Sequence, residues 1–152
     1  MYDSVTPSAI PADAEVVAGY VDGLYRWSDA DWARFPNAAK VRIAVFPWTN
    51  DGDVLDVETG DATPAQAPGW LAQRQAANPG KRFTIYCSLS WVPEVQAACQ
   101  GLDYDLWIAH YTYQEHLEPG SVATQWTDKG SNGLNVDISL CLSSWVDGLA
   151  HG

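Results

Sequence analysis

Three carboxylates stand on one short stretch, Asp53-Val54-Leu55-Asp56-Val57-Glu58, which stops at Thr59-Gly60-Asp61. Read as a strand, its side chains alternate, so Asp56 and Glu58 share one face and Leu55 and Val57 the other. Two acids crowded on one face at the C-terminal end of a strand repel each other, and the expected result is one raised pKa beside one low one. A protonated acid next to an ionised one is the pairing that general acid catalysis uses. An edge strand with a solvated acidic face has the same spacing. Asp3 in Tyr2-Asp3-Ser4-Val5 and Asp137 in Asn135-Val136-Asp137-Ile138-Ser139 carry further acids on apolar runs.

The other reactive residue types form no pattern. Cys87, Cys99 and Cys141 are odd in number and unrelated in spacing, giving neither a disulfide framework nor a metal set. Cys87 and Cys99 sit in apolar contexts and read as buried thiols. His110, His116 and His151 share no ligand spacing. Neither a metal nor any other cofactor is expected.

Composition narrows the partners. Hydrophobic residues make up 47% of the 152 and charged ones 18%, a globular balance in a chain of single-domain size. One domain spanning 1–152 is expected. The formal charge of −11 leaves no basic footprint for nucleic acid or an anionic membrane, and it opposes unaided adsorption to an anionic cell wall. Eight Trp and seven Tyr are a dense aromatic set, of the kind that lines sites for flat or sugar-like ligands as well as cores. No basic, then apolar, leader is visible at the N-terminus, and no apolar run reaches membrane-spanning length.

Eight short strands are expected to position these residues: Tyr2–Val5, Val16–Val21, Val41–Phe46, Asp53–Glu58, Phe83–Cys87, Tyr104–Tyr111, Ser121–Trp126 and Leu134–Leu140. Ser28 caps a short helix over Asp29–Phe35 that stops before Pro36. Pro64 starts a second helix through Gln75, ended by Asn78-Pro79-Gly80, and Trp91–Cys99 is a third. Strands alternating with helices imply parallel β/α units, and eight of them imply a closed barrel. The expected fold is therefore α/β, a small irregular (β/α)8 barrel whose crossovers are mostly loops. An open doubly wound sheet is the second option, weakened because no Gly-rich phosphate loop follows the first strand. In such a barrel, Asp3, Asp56, Glu58 and Asp137 lie at C-terminal strand ends, where active sites form.

The ordered series YDSV, DVLDVE, FTIYCSLSW, YDLWIAHYT, ATQWTD and NVDIS resembles the strand series of family 25 glycoside hydrolases, the lysozyme-like muramidases. It is similar above all to an actinobacterial and phage group of glycoside-hydrolase-like domains. The resemblance implies an irregular (β/α) barrel, which agrees with the strand count. It implies Glu58 as proton donor, Asp56 as the acid that positions the reacting acetamido sugar, and Asp3 and Asp137 as first- and last-strand acids. Tyr86, Tyr111 and Gln125 match groove-lining positions. Tyr20, Trp48, Trp107 and Trp126, at or near strand ends, complete the expected glycan-binding set, whereas Trp32, Trp70, Trp91 and Trp145 are expected to pack helices onto the barrel. The sequence departs from the family at Phe46-Pro47-Trp48-Thr49-Asn50, ahead of the D-x-E strand, and at Thr124 before Gln125.

The function implied is cleavage of the β-1,4 bond of peptidoglycan by a phage lysin or virion-associated domain. Made in the host cytoplasm, it would act on the wall, with a separate wall-binding domain or virion proteins as partners. The alternative is a barrel that binds glycan or serves structurally without turnover.

Overall fold

The computed structural model of the chain describes residues 1–130 and 135–150. Its strands are β1 (Tyr2–Asp3), β2 (Val16–Tyr20), β3 (Ala39–Ala44), β4 (Val54–Val57), β5 (Thr84–Ser88), β6 (Asp105–Ala109), β7 (Ala123–Thr127) and β8 (Asp137–Cys141). They close into one barrel in chain order. Helix α1 (Asp29–Ala33) follows β2, α2 (Ala67–Ala77) follows β4, α3 (Val92–Ala98) follows β5, and α4 (Ser143–Ala150) follows β8. Among the described residues, the remaining crossovers are loops and single turns. Ser28 caps α1 in a reciprocal box with Asp31, so the cap read from the sequence forms. Leu134, the expected first residue of the last strand, and His151 lie outside the described residues.

One expectation about strand direction fails. β1 to β7 run parallel to their neighbours, but β8 is antiparallel to both β7 and β1. The apolar alternation of a strand reads the same in either direction, so the sequence could not reveal this. An antiparallel return does not need the long crossover that a parallel one does.

The alternation of each strand feeds two apolar layers. Inward side chains, among them Ala18, Val41, Ile43, Val54, Tyr86, Trp107 and Ala123, fill the barrel. Outward ones, including Leu55, Val57, Ile85, Leu106 and Ile108, meet Trp70 and Leu71 of α2 and Val95 of α3. On the other flank Trp27, Phe35 and Val17 form a third cluster. Gly19 makes room for Trp27 there, since a Cβ would fall 2.4 Å from the indole. The sequence reading assigned no helix after β8. In the structure α4 swings Trp145 into the barrel interior, where its Nε1 donates to Thr84 Oγ1 at 3.0 Å and its ring lies 6.4 Å from Trp107. Trp145 thus plugs the end of the barrel opposite to the one where the acids gather.

Candidate active site

Four acids converge on one mouth. β4 places Asp56 on the inner face, 3% exposed, and Glu58 just past the strand's last residue, in the open. Asp3 ends β1, and the β1–β8 register sets it directly opposite Asp137. Asp137 is therefore the first residue of β8 and not at a C-terminal strand end, as the all-parallel reading required. Because β8 runs backwards, its N-terminal end opens on the same mouth as the other strands' C-terminal ends. The acid arrives where expected for a reason the sequence did not contain.

These side chains line a pocket of about 120 Å³ with Tyr20, Ile43, Tyr86, Trp107 and Tyr111. A second pocket of about 180 Å³ shares Tyr20 and Glu58 and continues over Asp22, Leu24, Tyr25 and Asp61. The two form a short groove with Glu58 at the junction. Larger clefts of about 660 and 620 Å³ open away from it. The acids lining the first of these, Asp13, Glu15, Glu115 and Asp147, are all exposed surface residues.

Five acids at the mouth, Asp3, Asp56, Glu58, Asp61 and Asp137, are held above their ordinary range. Burial is the first cause for Asp3 and for Asp56, both raised well above it; Asp137 adds to the effect on Asp3, and Glu58 and Asp61 to that on Asp56. Glu58 is raised by loss of water, then by Asp61 and Asp137. Asp61 and Asp137 are also raised, again by desolvation first. The expected split into one high and one low pKa is not what forms. None of the residues lining either pocket is Lys, Arg or His, and the Met1 ammonium offsets the mutual repulsion only in part, at Asp3.

Within this cluster the paired contacts act unequally. The Asp3–Asp137 contact raises Asp3 and lowers Asp137. The Glu58–Asp61 contact raises Glu58 and lowers Asp61. One oxygen each of Asp3 and Asp56, Oδ2 and Oδ1, is buried without a hydrogen-bond partner. Such a buried polar atom costs about 1–3 kcal/mol. The oxygens of Asp56, Glu58 and Asp61 lie within 4.8 Å of one another, a spacing that shared protons satisfy.

The residues expected to bind glycan divide. Tyr20, Tyr86 and Tyr111 line the pocket. Gln125 does not. It is 2% exposed, accepts from Tyr86 Oη at 2.5 Å and contacts Asp137, so it positions an acid from behind. Trp107 shares the inward face with Tyr111, as the regular β5–β6 register requires. At 1% exposure it is floor and cannot stack on a sugar; its Nε1 donates to Ser139 Oγ and its ring meets Tyr86 edge-on at 5.0 Å. Trp126 lines neither pocket; it sits at a break in the β7–β8 register, and its carbonyl accepts from the Tyr113 N–H. Trp48 is 68% exposed, stacked on Phe46 at 4.9 Å, and lies outside both pockets.

Two features escaped the sequence reading. Asp61 was taken only as the end of a strand. The Gly60 turn, at φ 102°, folds it back so that its N–H donates to the Glu58 carbonyl. An acid three residues after Glu58 across a glycine was the available signal. The second is a rim. Val5, Leu24, Tyr25, Phe46, Trp48, Leu89, Tyr111 and Tyr113 are all exposed, and all follow the C-terminal ends of strands. Away from the mouth, the loop after β6 brings His110 and His116 onto Glu118, although their spacing suggested no common site.

Comparison with known proteins agrees with this geometry. The family model of glycosyl hydrolases family 25 matches residues 18–133. A muramidase from Acremonium alcalophilum has a TM-score of 0.54 at 16% identity, over 90% of this chain and 86% of its own. A family GH25 lysozyme from Aspergillus fumigatus gives 0.55 at 15% identity, over 91% and 88%. At such identities the likeness is one of fold. No curated protein matches the chain. Asp56 and Glu58 fall inside the matched stretch, while Asp3 and Asp137 fall outside it.

Proposed function

The chain belongs to glycosyl hydrolases family 25 and is a glycoside hydrolase; on that premise we propose that it is an N-acetylmuramidase, cleaving the β-1,4 bond after N-acetylmuramic acid in peptidoglycan. The observation that carries this reading is the convergence of Asp3, Asp56, Glu58 and Asp137 on one pocket without a cation.

Glu58 is the general acid. It stands at the junction of the two pockets, and its surroundings raise its pKa and so favour the protonated form, which gives its proton to the glycosidic oxygen as the C1–O bond breaks. Asp56 lies deeper, with an acceptor oxygen that has no partner in the protein. The N–H of a 2-acetamido group supplies the missing donor. Held there, the acetamido carbonyl oxygen attacks C1, and water later opens the resulting ring and returns a proton to Glu58. Asp3 and Asp137 act through charge, favouring the positive character that develops on the sugar. The apolar rim supplies the faces on which neighbouring sugars stack.

The setting we infer is the cell wall, reached as a phage lysin or virion-associated domain. The charge of −11 supports delivery by a tether over free adsorption. The test is product analysis: digest purified peptidoglycan, reduce the new ends with borohydride and identify the sugar alcohol. Muramitol is the expected product. Glucosaminitol would reassign the cleaved bond, and no new reducing ends would leave a glycan-binding barrel without turnover.

A further inference from the structure

The β6–β7 loop holds a second cluster that the glycosidase chemistry does not use. Glu118 Oε1 lies 2.5 Å from His110 Nδ1 and 2.9 Å from His116 Nε2, and the three atoms fall within 4.8 Å of one another. The two rings stand edge to face, 5.3 Å apart. His110 follows Ala109 on the side opposite Tyr111, so the cluster sits outside the barrel while Tyr111 faces the acid pocket.

Two features distinguish it from a chance surface group. The first is tautomer. His116 Nδ1 lies 2.9 Å from the Gln114 carbonyl, which can only accept, so Nδ1 carries the hydrogen. In the neutral ring this leaves the Nε2 lone pair facing a carboxylate oxygen, two acceptors with nothing shared between them. A cation between them turns that repulsion into ligation. A ring N–H donated to a backbone carbonyl is also the usual support of a metal-bound histidine.

The second is anchoring. The His110 N–H donates to the Gln125 carbonyl at 2.9 Å, and the Glu118 N–H to Thr124 Oγ1 at 2.8 Å, so β7 holds both ends of the cluster. Ser121 Oγ adds a bond to the Glu118 carbonyl. All three side chains are only partly buried, which leaves a way in for an ion.

We propose that His110, His116 and Glu118 form a binding site for a divalent transition-metal ion, with Zn²⁺ the natural fit to two imidazoles and one carboxylate. Bonds of about 2.0–2.2 Å in tetrahedral geometry put ligand atoms about 3.3 Å apart, so the two carboxylate–imidazole distances of 2.5 and 2.9 Å need to lengthen by less than an ångström. Three protein ligands leave one position for water. The ion would staple the loop that carries Tyr111 over the acid pocket and Tyr113 on the rim.

The test is calorimetric titration of the whole chain with Zn²⁺ at neutral pH, alongside the visible absorption of the Co²⁺ form. One ion per chain is expected, with a rise in Tm on loading. Glu118→Gln and His116→Ala should each weaken binding by about 10-fold or more and abolish the Tm rise, with circular dichroism unchanged. Asp61→Asn and Cys141→Ser should bind as wild type. Absence of saturable binding, undiminished binding in Glu118→Gln, loss of binding in Asp61→Asn, or a sulfur-to-cobalt charge-transfer band would each overturn the proposal. The cobalt spectrum reports ligand type on wild type, so a poorly folded variant does not shelter the assignment.

Discussion

β4 carries an acid at each end of its stretch, and the protein treats the two in opposite ways. At the start, Asp53 Oδ2 accepts from the Arg42 N–H at 3.1 Å and its Oδ1 pairs with Lys81 Nζ at 3.1 Å. Nearby strand starts follow the same rule: Arg42 pairs with Asp51, and Arg82 with Asp103 and Asp105. At the other end, a few residues on, Asp56 and Glu58 meet Asp3, Asp61 and Asp137 and no cation. The paired end is built for stability. The unpaired end stores repulsion that the reaction uses, which is the usual cost of an active site.

The largest effect should come from Glu58→Gln, which keeps the shape of the mouth and removes the transferable proton. Turnover of purified peptidoglycan should fall about 100-fold or more, with the circular dichroism of the fold unchanged. Wild-type turnover in this variant would strip Glu58 of its role and the comparison of its functional end.

Next are two matched substitutions on the same strand. Asp53→Asn leaves Lys81 without its anion and should destabilise by about 3 kcal/mol, toward the lower end for a buried pair because the Arg42 N–H keeps an acceptor. Asp56→Asn should do the reverse. It relieves repulsion, raises Tm at neutral pH, and lowers turnover by about 10-fold or more. Denaturant unfolding of both variants decides. Equal losses of stability would erase the distinction between the two ends.

Stability against pH sharpens the same contrast. The acids of the mouth have folded pKa values above their unfolded ones. The native state therefore binds protons more tightly than the unfolded chain in that window. Its stability should be greatest below the unfolded carboxylate pKa, about 4, and decline as pH rises through the raised values. Asp31 and Asp51, held low by Ser28 and Arg42, act with the opposite sign, but neither is buried. The Tm profile of Asp56→Asn should be flatter than that of wild type between about pH 4 and 7. Parallel profiles would show that Asp56 does not carry the stored repulsion.

A smaller change should follow from Gln125→Ala, which frees Tyr86 and Asp137 without removing an acid. We expect kcat to fall by roughly 10-fold with little change in KM, the pattern of a positioning residue. A rise in KM alone would return Gln125 to the groove wall. Smallest is the response to salt. Wild-type turnover should rise a few-fold, at most, as ionic strength goes from low to about physiological, because screening relieves repulsion from an anionic wall. Highest activity at the lowest salt would remove the case for a tether.

The sequence by itself determined the local facts. It placed the D-x-E pair, because alternation in a strand follows from the backbone and needs no partner. It showed all eight strands and three of four helices, because apolar runs, prolines and the Ser28 cap are written within a few residues of where they act. The order of motifs was also enough for the family. Only the tertiary structure decided which way β8 runs, and so how Asp137 reaches Asp3, because the pattern of a strand has no direction. Closure of the barrel alone joins those two acids, 134 positions apart by number, to the pair on β4. It also decided which aromatics line the pocket and which do not: Trp107 became floor, Trp126 fell outside both pockets and Trp145 became a plug. The pKa values were set the same way, since they depend on charges and water brought close through space. Adjacent acids in a sequence say that repulsion is available, and only the fold says whether a lysine is there to remove it.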